Sequence, residues 1–269
     1  MKIYIPSRGR GTRAELVTAA YTPFRWLTKD LLRNTILVVR DEEVEAYERA
    51  VYGIDVSIMA CGSPKNLSEK RDLIARHVYN KGEKKFLMSD DDVMLYIRKS
   101  PTDWHLRYPT KREPEDLIKG MEDLLDQYPM VGLSMREGNN RVGEGPWPLI
   151  KECQRSCRFY AFRTADYLSI EPNRLPEMAD FDTTLQFLTR GQKNAVIYYW
   201  ANGQPGSQHK GGCSIYRTSE THDAVCRQLQ QLYPSFVSLR QKNNKGHQSG
   251  FGTRTEVTVQ WKKAYESCK

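Results

Sequence analysis

Short apolar runs alternate with longer amphipathic stretches along the first part of the chain. Residues 2–6, 35–39, 56–59 and 86–88 are apolar runs of strand length. Between them, 13–20, 41–51 and 66–79 have helical character. The last of these carries Leu67, Leu73, Ile74 and Val78 as an apolar stripe, with Asn66 or Ser68 as its cap. This alternation predicts a parallel sheet with helices on both faces. Further on, Leu117, Ile118, Met121, Leu124 and Leu125 predict a helix over 113–127. Residues 130–134, 159–163 and 195–200 predict strands, 137–148 a polar loop, and 165–168 the start of a turn or helix. A helix over 182–189 is stopped by Gly191.

The composition changes near residue 203. Residues 203–212 hold four Gly with Pro205, His209 and Lys210 and read as a loop. A helix over 221–233, a basic glycine-bearing loop over 242–252 and an alternating strand over 253–261 follow. There is no internal repeat and no linker. The pattern predicts an α/β main unit over 1–205 and a C-terminal extension over 206–269.

A chain of 269 residues can bury one large α/β core or two small ones. No apolar run reaches membrane-spanning length, and the N-terminus turns polar too early for a signal peptide. The expectation is a cytoplasmic chain without a membrane partner. The cysteines at 61, 153, 157, 213, 226 and 268 form no CxxC pair. Cys153 and Cys157 could share a helical face, but two further zinc ligands are missing, so reduced structural thiols are expected. The net charge of +8 favours a polyanionic partner, nucleic acid above all, against the plainer meaning of solubility charge.

The most informative stretch is the apolar strand that ends in Asp90-Asp91-Asp92. Three adjacent carboxylates repel one another, so something cationic is expected beside them. If the strand ran on to Asp92, Asp90 and Asp92 would share one side and Asp91 would face the other. Such a pair suits Mg²⁺ or Mn²⁺, which take oxygen ligands and share them with phosphates. The plain alternative is an acidic turn.

Pro6, Ser7, Arg8, Gly9 and Arg10 follow the first strand, where open α/β sheets place their ligands. Backbone amides and arginines there can hold a nucleoside diphosphate. The segment is neither a Walker A loop nor GxGxxG, and a plain basic turn is the alternative. Lys70 and Arg71 sit near the start of a helix whose first amides can meet an anion; a solvated helical face is the alternative. Of Asp180 and Asp182, one reads as a helix cap, and either can serve as a general base.

In this order, the motifs resemble a GT-A glycosyltransferase over residues 1–205. The opening Lys-Ile-Tyr-Ile-Pro-Ser-Arg-Gly-Arg, the Ser-Asp-Asp-Asp tract and the small basic chain are most similar to the TET-associated glycosyltransferases of bacteriophages. Those enzymes add sugars to 5-hydroxymethylpyrimidines in phage DNA. The resemblance implies a Rossmann-like, mixed and mainly parallel sheet flanked by helices. It implies a nucleotide-sugar donor, a UDP-sugar in the first instance, and Mn²⁺ or Mg²⁺.

Asp90 and Asp92 match the DxD positions. Asp92 would hold the metal, Asp90 would contact the metal or the ribose, and Asp91 would lie between them in the donor pocket. Pro6, Ser7, Arg8 and Arg10 match the nucleotide-facing loop, and Lys70 and Arg71 the basic helix. Asp180 matches the catalytic base of inverting members, with Asp182 as runner-up. Where the family has Glu-Asp, this chain has Ala179-Asp180, and a retaining route stays open if Asp180 is not the base. His209 resembles the late metal-ligating histidine, and Lys210 could neutralise the leaving diphosphate.

The implied acceptor is double-stranded DNA containing 5-hydroxymethylcytosine, in the host cytoplasm, with the base flipped out. Arg136, Arg141, Arg155, Arg158 and Arg163, with Trp147, Phe159 and Tyr160, cluster in the half that would face it. The loop over 242–247, with Lys242, Lys245 and His247, could grip the backbone. Three other readings remain open: a transferase acting on polysaccharide or protein, a nucleotidyltransferase, and a non-catalytic DNA-binding module with a structural acidic tract.

Overall fold

The computed structural model describes residues 1–100, 102–110, 112–139, 149–205, 218–243 and 253–268. The first third holds β1 (Lys2–Pro6), α1 (Arg13–Leu16), α2 (Lys29–Arg33), β2 (Thr35–Val39), α3 (Val44–Ala50), β3 (Ser57–Ala60), α4 (Leu67–Asn80) and β4 (Lys85–Ser89). Then come β5 (Met94–Ser100), β6 (Asp103–Arg107), α5 (Glu113–Leu124), β7 (Met130–Met135), α6 (Arg136–Asn139), β8 (Ile150–Glu152) and β9 (Phe159–Arg163). The chain closes with α7 (Thr164–Leu168), α8 (Ala179–Leu188), β10 (Ala195–Gly203), α9 (Ser219–Leu232), β11 (Val237–Asn243), β12 (Thr253–Val259) and α10 (Trp261–Glu266).

The main sheet has the order β3-β2-β1-β4-β9-β7-β10-β5-β6, with β8 added beside β10. Strands β1 to β4, β7 and β10 run in one direction, and β5, β8 and β9 run against them. This is the mixed, mainly parallel α/β arrangement that the resemblance implies, where the alternation of apolar runs alone predicts a parallel sheet. Both faces of the central strands are covered, which is why these strands read as unbroken apolar runs. Ile3, Ile5, Leu37, Val39 and Leu87 face one core layer with Tyr47, Leu117 and Met121 from α3 and α5. Tyr4, Val38, Phe86 and Met88 face the other with Ile74, Val78 and Tyr167 from α4 and α7. A third cluster joins Leu185 and Leu188 of α8 to Val225 and Leu229 of α9, with Val237 and Ala264.

Strand direction brings the carboxyl ends of β1, β4, β7 and β10 to one edge. The antiparallel strands start there too: Phe159 pairs with Ser89, and Met94 with Gly203. The segments after Pro6, Ser89, Met135 and Gly203, and the segment before Phe159, therefore meet along one edge.

Several elements differ from the sequence prediction. The helix expected over 13–20 stops at Leu16, whose carbonyl accepts a hydrogen bond from the Thr22 hydroxyl. Strand β4 ends at Ser89: the Asp90 amide still donates in register to the Arg158 carbonyl at 2.8 Å, but the backbone of Arg158 is left-handed (φ 70°) and the ladder with β9 stops there. Helix α8 begins at Ala179, ahead of the expected 182, so Asp180 and Asp182 lie in its first turn and neither is its cap; Met178 is, with a left-handed backbone (φ 57°). The hairpin β5–β6 and strand β8 escaped prediction. Arg136–Asn139 is helical, and Lys242 and Asn243 belong to β11, where loops were expected. Cys153 and Cys157 lie in an irregular segment, both buried as free thiols, so they share no helical face. No helix among the described residues is long and apolar enough to cross a membrane.

Candidate active site

The acidic tract is divided by the fold. Asp91 turns inward, with its side chain 9 % exposed, while Asp92 and Asp90 keep 17 % and 22 %. Ser7 donates its hydroxyl to Asp91, shares a 2.7 Å hydrogen bond with the Tyr47 hydroxyl, and is itself buried. The Arg10 guanidinium lies 3.5 Å from Asp91 and 2.9 Å from Asp92, and its amide donates to Tyr47 at 3.2 Å. Burial pushes the Asp91 carboxyl up to about 7 although Arg10 opposes it, and the Asp92 charge adds to the rise. Burial works against the Arg10 charge, but Asp91 and Asp92 outweigh it and hold the guanidinium above its ordinary value. Asp91 is thus the tie between the first loop and the tract.

Lys70 is buried beneath the same loop. Its ammonium donates to the carbonyls of Ser7 at 2.7 Å and Val38 at 3.4 Å, closing the ends of β1 and β2, and burial lowers its pKa. Pro6 is the buried last residue of β1. Arg8 reaches outward, with a 3.5 Å contact to the Lys65 carbonyl. Of the residues predicted to face the nucleotide, Arg8 faces out, whereas Ser7, Lys70 and Asp91 build the wall behind.

Arg71 carries the tract toward α8. Its guanidinium donates to Asp90 at 2.6 Å and lies 5.3 Å from the Tyr160 ring centre. Burial raises the Asp90 pKa against the pull of Arg71. Arg71 and Asp180 line one small cavity with Tyr160, Ala179 and Thr183. On its far side Arg155 donates from Nε to Asp180 at 2.7 Å. The structure therefore brings Asp90 and Asp180 to one place. Asp182 points elsewhere. Its oxygens accept from Arg174 at 2.9 and 2.6 Å, from Tyr233 at 2.8 Å and from Gln186 at 2.9 Å, in a nearly sealed environment. This carboxylate anchors α8 to α9 and offers no oxygen to a substrate.

The segment 153–158 supplies the arginines opposite the tract. Cys153 and Arg158 both have left-handed backbones, at φ 53° and 70°, an unfavourable conformation for side chains of this kind. Two neighbours hold it. Ser156 packs where a side chain on Gly132 of β7 would be, since an added Cβ would lie 1.8 Å from its hydroxyl oxygen. Fully buried Asn202 of β10 donates to the carbonyls of Leu133, Ser134 and Cys157 at 3.4, 3.1 and 3.3 Å. Tyr47, Gly132 and Asn202 were not anticipated. A glycine inside a strand is a recognisable sign of close approach, and only Gly132 carried such a sign.

Asp90 and Asp92 suit a small divalent cation. Each is partly exposed, and each has one oxygen beyond the arginine contact given above. Among the described residues no group of three or more His, Cys, Asp or Glu is arranged around a metal position. Two carboxylates completed by substrate phosphates are enough for Mg²⁺ chemistry. The predicted His209 and Lys210 lie outside the described residues, as do Arg141, Trp147, Lys245 and His247. Arg136 stacks on Tyr96 at 4.6 Å, and Arg163 pairs with Asp166 away from the site.

The edge that gathers these carboxylates and arginines lies at the carboxyl ends of parallel strands, where open α/β sheets carry their sites. The family model of the TET-associated glycosyltransferases matches residues 1–212, and the chain belongs to that family. No curated protein matches the sequence. Among solved structures, glucosyl-3-phosphoglycerate synthase from Mycobacterium tuberculosis, in complex with Mn²⁺, UDP and phosphoglyceric acid, is similar at 9 % identity. That match covers 96 % of this chain and 86 % of that one, with a TM-score of 0.49. TarS from S. aureus in complex with UDP is similar at 13 % identity, covering 86 % and 66 %, with a TM-score of 0.42.

Proposed function

We propose that this glycosyltransferase moves a sugar from a nucleotide-sugar, a UDP-sugar first, to the hydroxymethyl group of 5-hydroxymethylcytosine in double-stranded DNA. The observation that carries the reading is the place of Arg71, which bonds Asp90 and lines one cavity with Asp180, while Arg155 bonds Asp180. A donor diphosphate needs cations at one end of the site, and an attacking hydroxyl needs a proton acceptor at the other. The family supports sugar transfer and, with the net charge of +8, supports DNA as acceptor.

In this reading Arg8 meets the donor phosphates, while Arg10 and Arg71 hold Asp92 and Asp90 in place. A divalent cation held by Asp90 and Asp92 would offset charge on the departing diphosphate. Asp180, oriented by Arg155, accepts the proton of the acceptor hydroxyl as that oxygen attacks the anomeric carbon. The bond to the diphosphate breaks as the glycosidic bond forms, which inverts the anomeric centre.

The test is incubation with Mn²⁺, a panel of UDP-sugars and duplex DNA containing 5-hydroxymethylcytosine, followed by digestion and mass measurement of the nucleosides. A hexose-sized gain that vanishes in Asp92→Ala supports donor, acceptor and metal site together. Metal-dependent UDP release with no gain on DNA would overturn the acceptor and keep the donor.

A further inference from the structure

The hairpin of β11 and β12 carries two unlike faces. Its register pairs Val237 with Val259, Leu239 with Val257 and Gln241 with Thr255; the intervening pairs are Ser238 with Thr258, Arg240 with Glu256 and Lys242 with Arg254. Alternation along a strand puts these two sets on opposite sides. From the first set, Val237, Val257 and Val259 pack with Val225 and Leu229 of α9, while Leu239 and Gln241 farther along β11 stay exposed. The second set faces out and is basic.

On that outer face Arg240, Lys242 and Arg254 converge on Glu256 at 2.9, 3.4 and 2.7 Å. Three cations share one carboxylate, so the face keeps a positive surplus. The carboxylate is also the covered member, 15 % exposed against 60 % for Arg240 and 48 % for Lys242. Lys242 stands directly across from Arg254, a like-charge pairing that costs a hairpin stability. A network serving stability alone would set a carboxylate opposite each cation.

We propose that this outer face docks on the phosphate backbone of the acceptor duplex, with Arg240, Lys242 and Arg254 as the phosphate contacts. The inference rests on the DNA acceptor proposed above. A two-stranded ribbon is narrow enough to follow a major groove, and guanidinium groups match phosphate oxygens. Position agrees with charge. His222 and Cys226 of α9 approach the Thr255 carbonyl at 3.1 and 3.4 Å. On their other side, His222 lies 3.7 Å from Glu177, and the Cys226 sulfur lies 4.0 Å from that of Met178. Met178 caps the helix whose first turn holds Asp180. The cationic face and the proton acceptor thus hang on contiguous structure, as a base-extruding enzyme needs when it grips the backbone around the extruded base.

The experiment measures binding of a short fluorescent duplex across salt concentrations, using full-length protein. In Arg240→Gln/Lys242→Gln/Arg254→Gln, the slope of log affinity against log salt should be shallower by about 2 to 3, at about 0.9 per lost phosphate contact. Glu256→Gln should bind more tightly than wild type, because the three cations lose their internal partner. A merely structural network predicts instead that Glu256→Gln lowers the Tm and leaves DNA affinity unchanged. That result, or a triple variant with the wild-type slope and an unchanged Tm, would overturn the proposal. Wild-type protein that binds no duplex at any salt would remove the DNA acceptor itself, and the proposal with it.

Discussion

Arg155 holds Asp180 from one side: its Nε donates to the carboxylate at 2.7 Å while its guanidinium stacks 3.8 Å from the ring centre of Phe181, the next residue. The carboxylate is fixed in direction yet remains partly exposed. Asp180→Asn keeps the shape and removes the proton acceptor. Transfer turnover should fall by about 10²- to 10⁴-fold, with donor KM and Tm close to wild type. A change confined to KM would make Asp180 a substrate-holding group.

Asp91 and Asp92 are neighbours in different surroundings, one enclosed and one partly exposed, and substitution should separate them. Asp92→Asn should weaken Mn²⁺-dependent UDP binding, read by calorimetry, with little change in Tm. Asp91→Ala leaves Ser7 without its buried acceptor and takes one of two carboxylates from Arg10. It should cost about 3 kcal/mol, as broken buried pairs do. Chelation should abolish transfer by wild type, and added Mn²⁺ should restore it there but not in Asp92→Asn.

Gly132→Ala drives a methyl group into Ser156, 1.8 Å from its hydroxyl oxygen and 2.4 Å from its Cβ. The cost should be about 1 to 3 kcal/mol, with transfer impaired because the arginine segment moves. Adding Ser156→Gly removes both colliding atoms. The double variant should recover part of the lost Tm, a coupling that independent sites would not show.

His222 lies between acceptors, with one ring nitrogen 3.7 Å from Glu177 and the other 3.1 Å from the Thr255 carbonyl. Hydrogen bonding to Cys226 and Glu177 raises its pKa from 6.5 to about 9. Because the folded-state value lies above the unfolded one, the stabilisation is complete below about pH 6.5 and is lost as pH rises through about 9. At most about 3 kcal/mol is involved. His222→Gln should flatten the fall in Tm between those pH values.

The place of the acidic tract in the fold was legible in the chain. The carboxylate tract stands at the end of a strand because an apolar run leaves no other place for three charges, and Arg71 lies one helix away as expected. What escaped was set by distant packing. Alternation assigned sides to Asp90, Asp91 and Asp92 as though β4 ran on, but the ladder with β9 stops at Arg158, whose backbone is left-handed. The tract still divides with Asp91 apart, through its bond to Ser7 rather than through strand geometry. Asp182, two residues away, stood as runner-up to Asp180. Only the approach of Arg174 and Tyr233, the latter 51 positions on, separates the enclosed anchor from the carboxylate left partly exposed. Lys70 and Arg71 read as a pair, yet the helix turns one toward backbone carbonyls and the other toward Asp90.

The region recognised as the transferase family ends at residue 212, but the packing of α8 does not. Leu185 and Leu188 are sealed by Val225 and Leu229 of α9 and by Ala264 of α10. A chain cut at the family boundary would bare those leucines and release the Tyr233 and His222 ties on the stretch that leads into Asp180. Where homology stops and where cooperative unfolding stops are therefore different places, and the last fifty or so residues should melt together with the sheet in one transition.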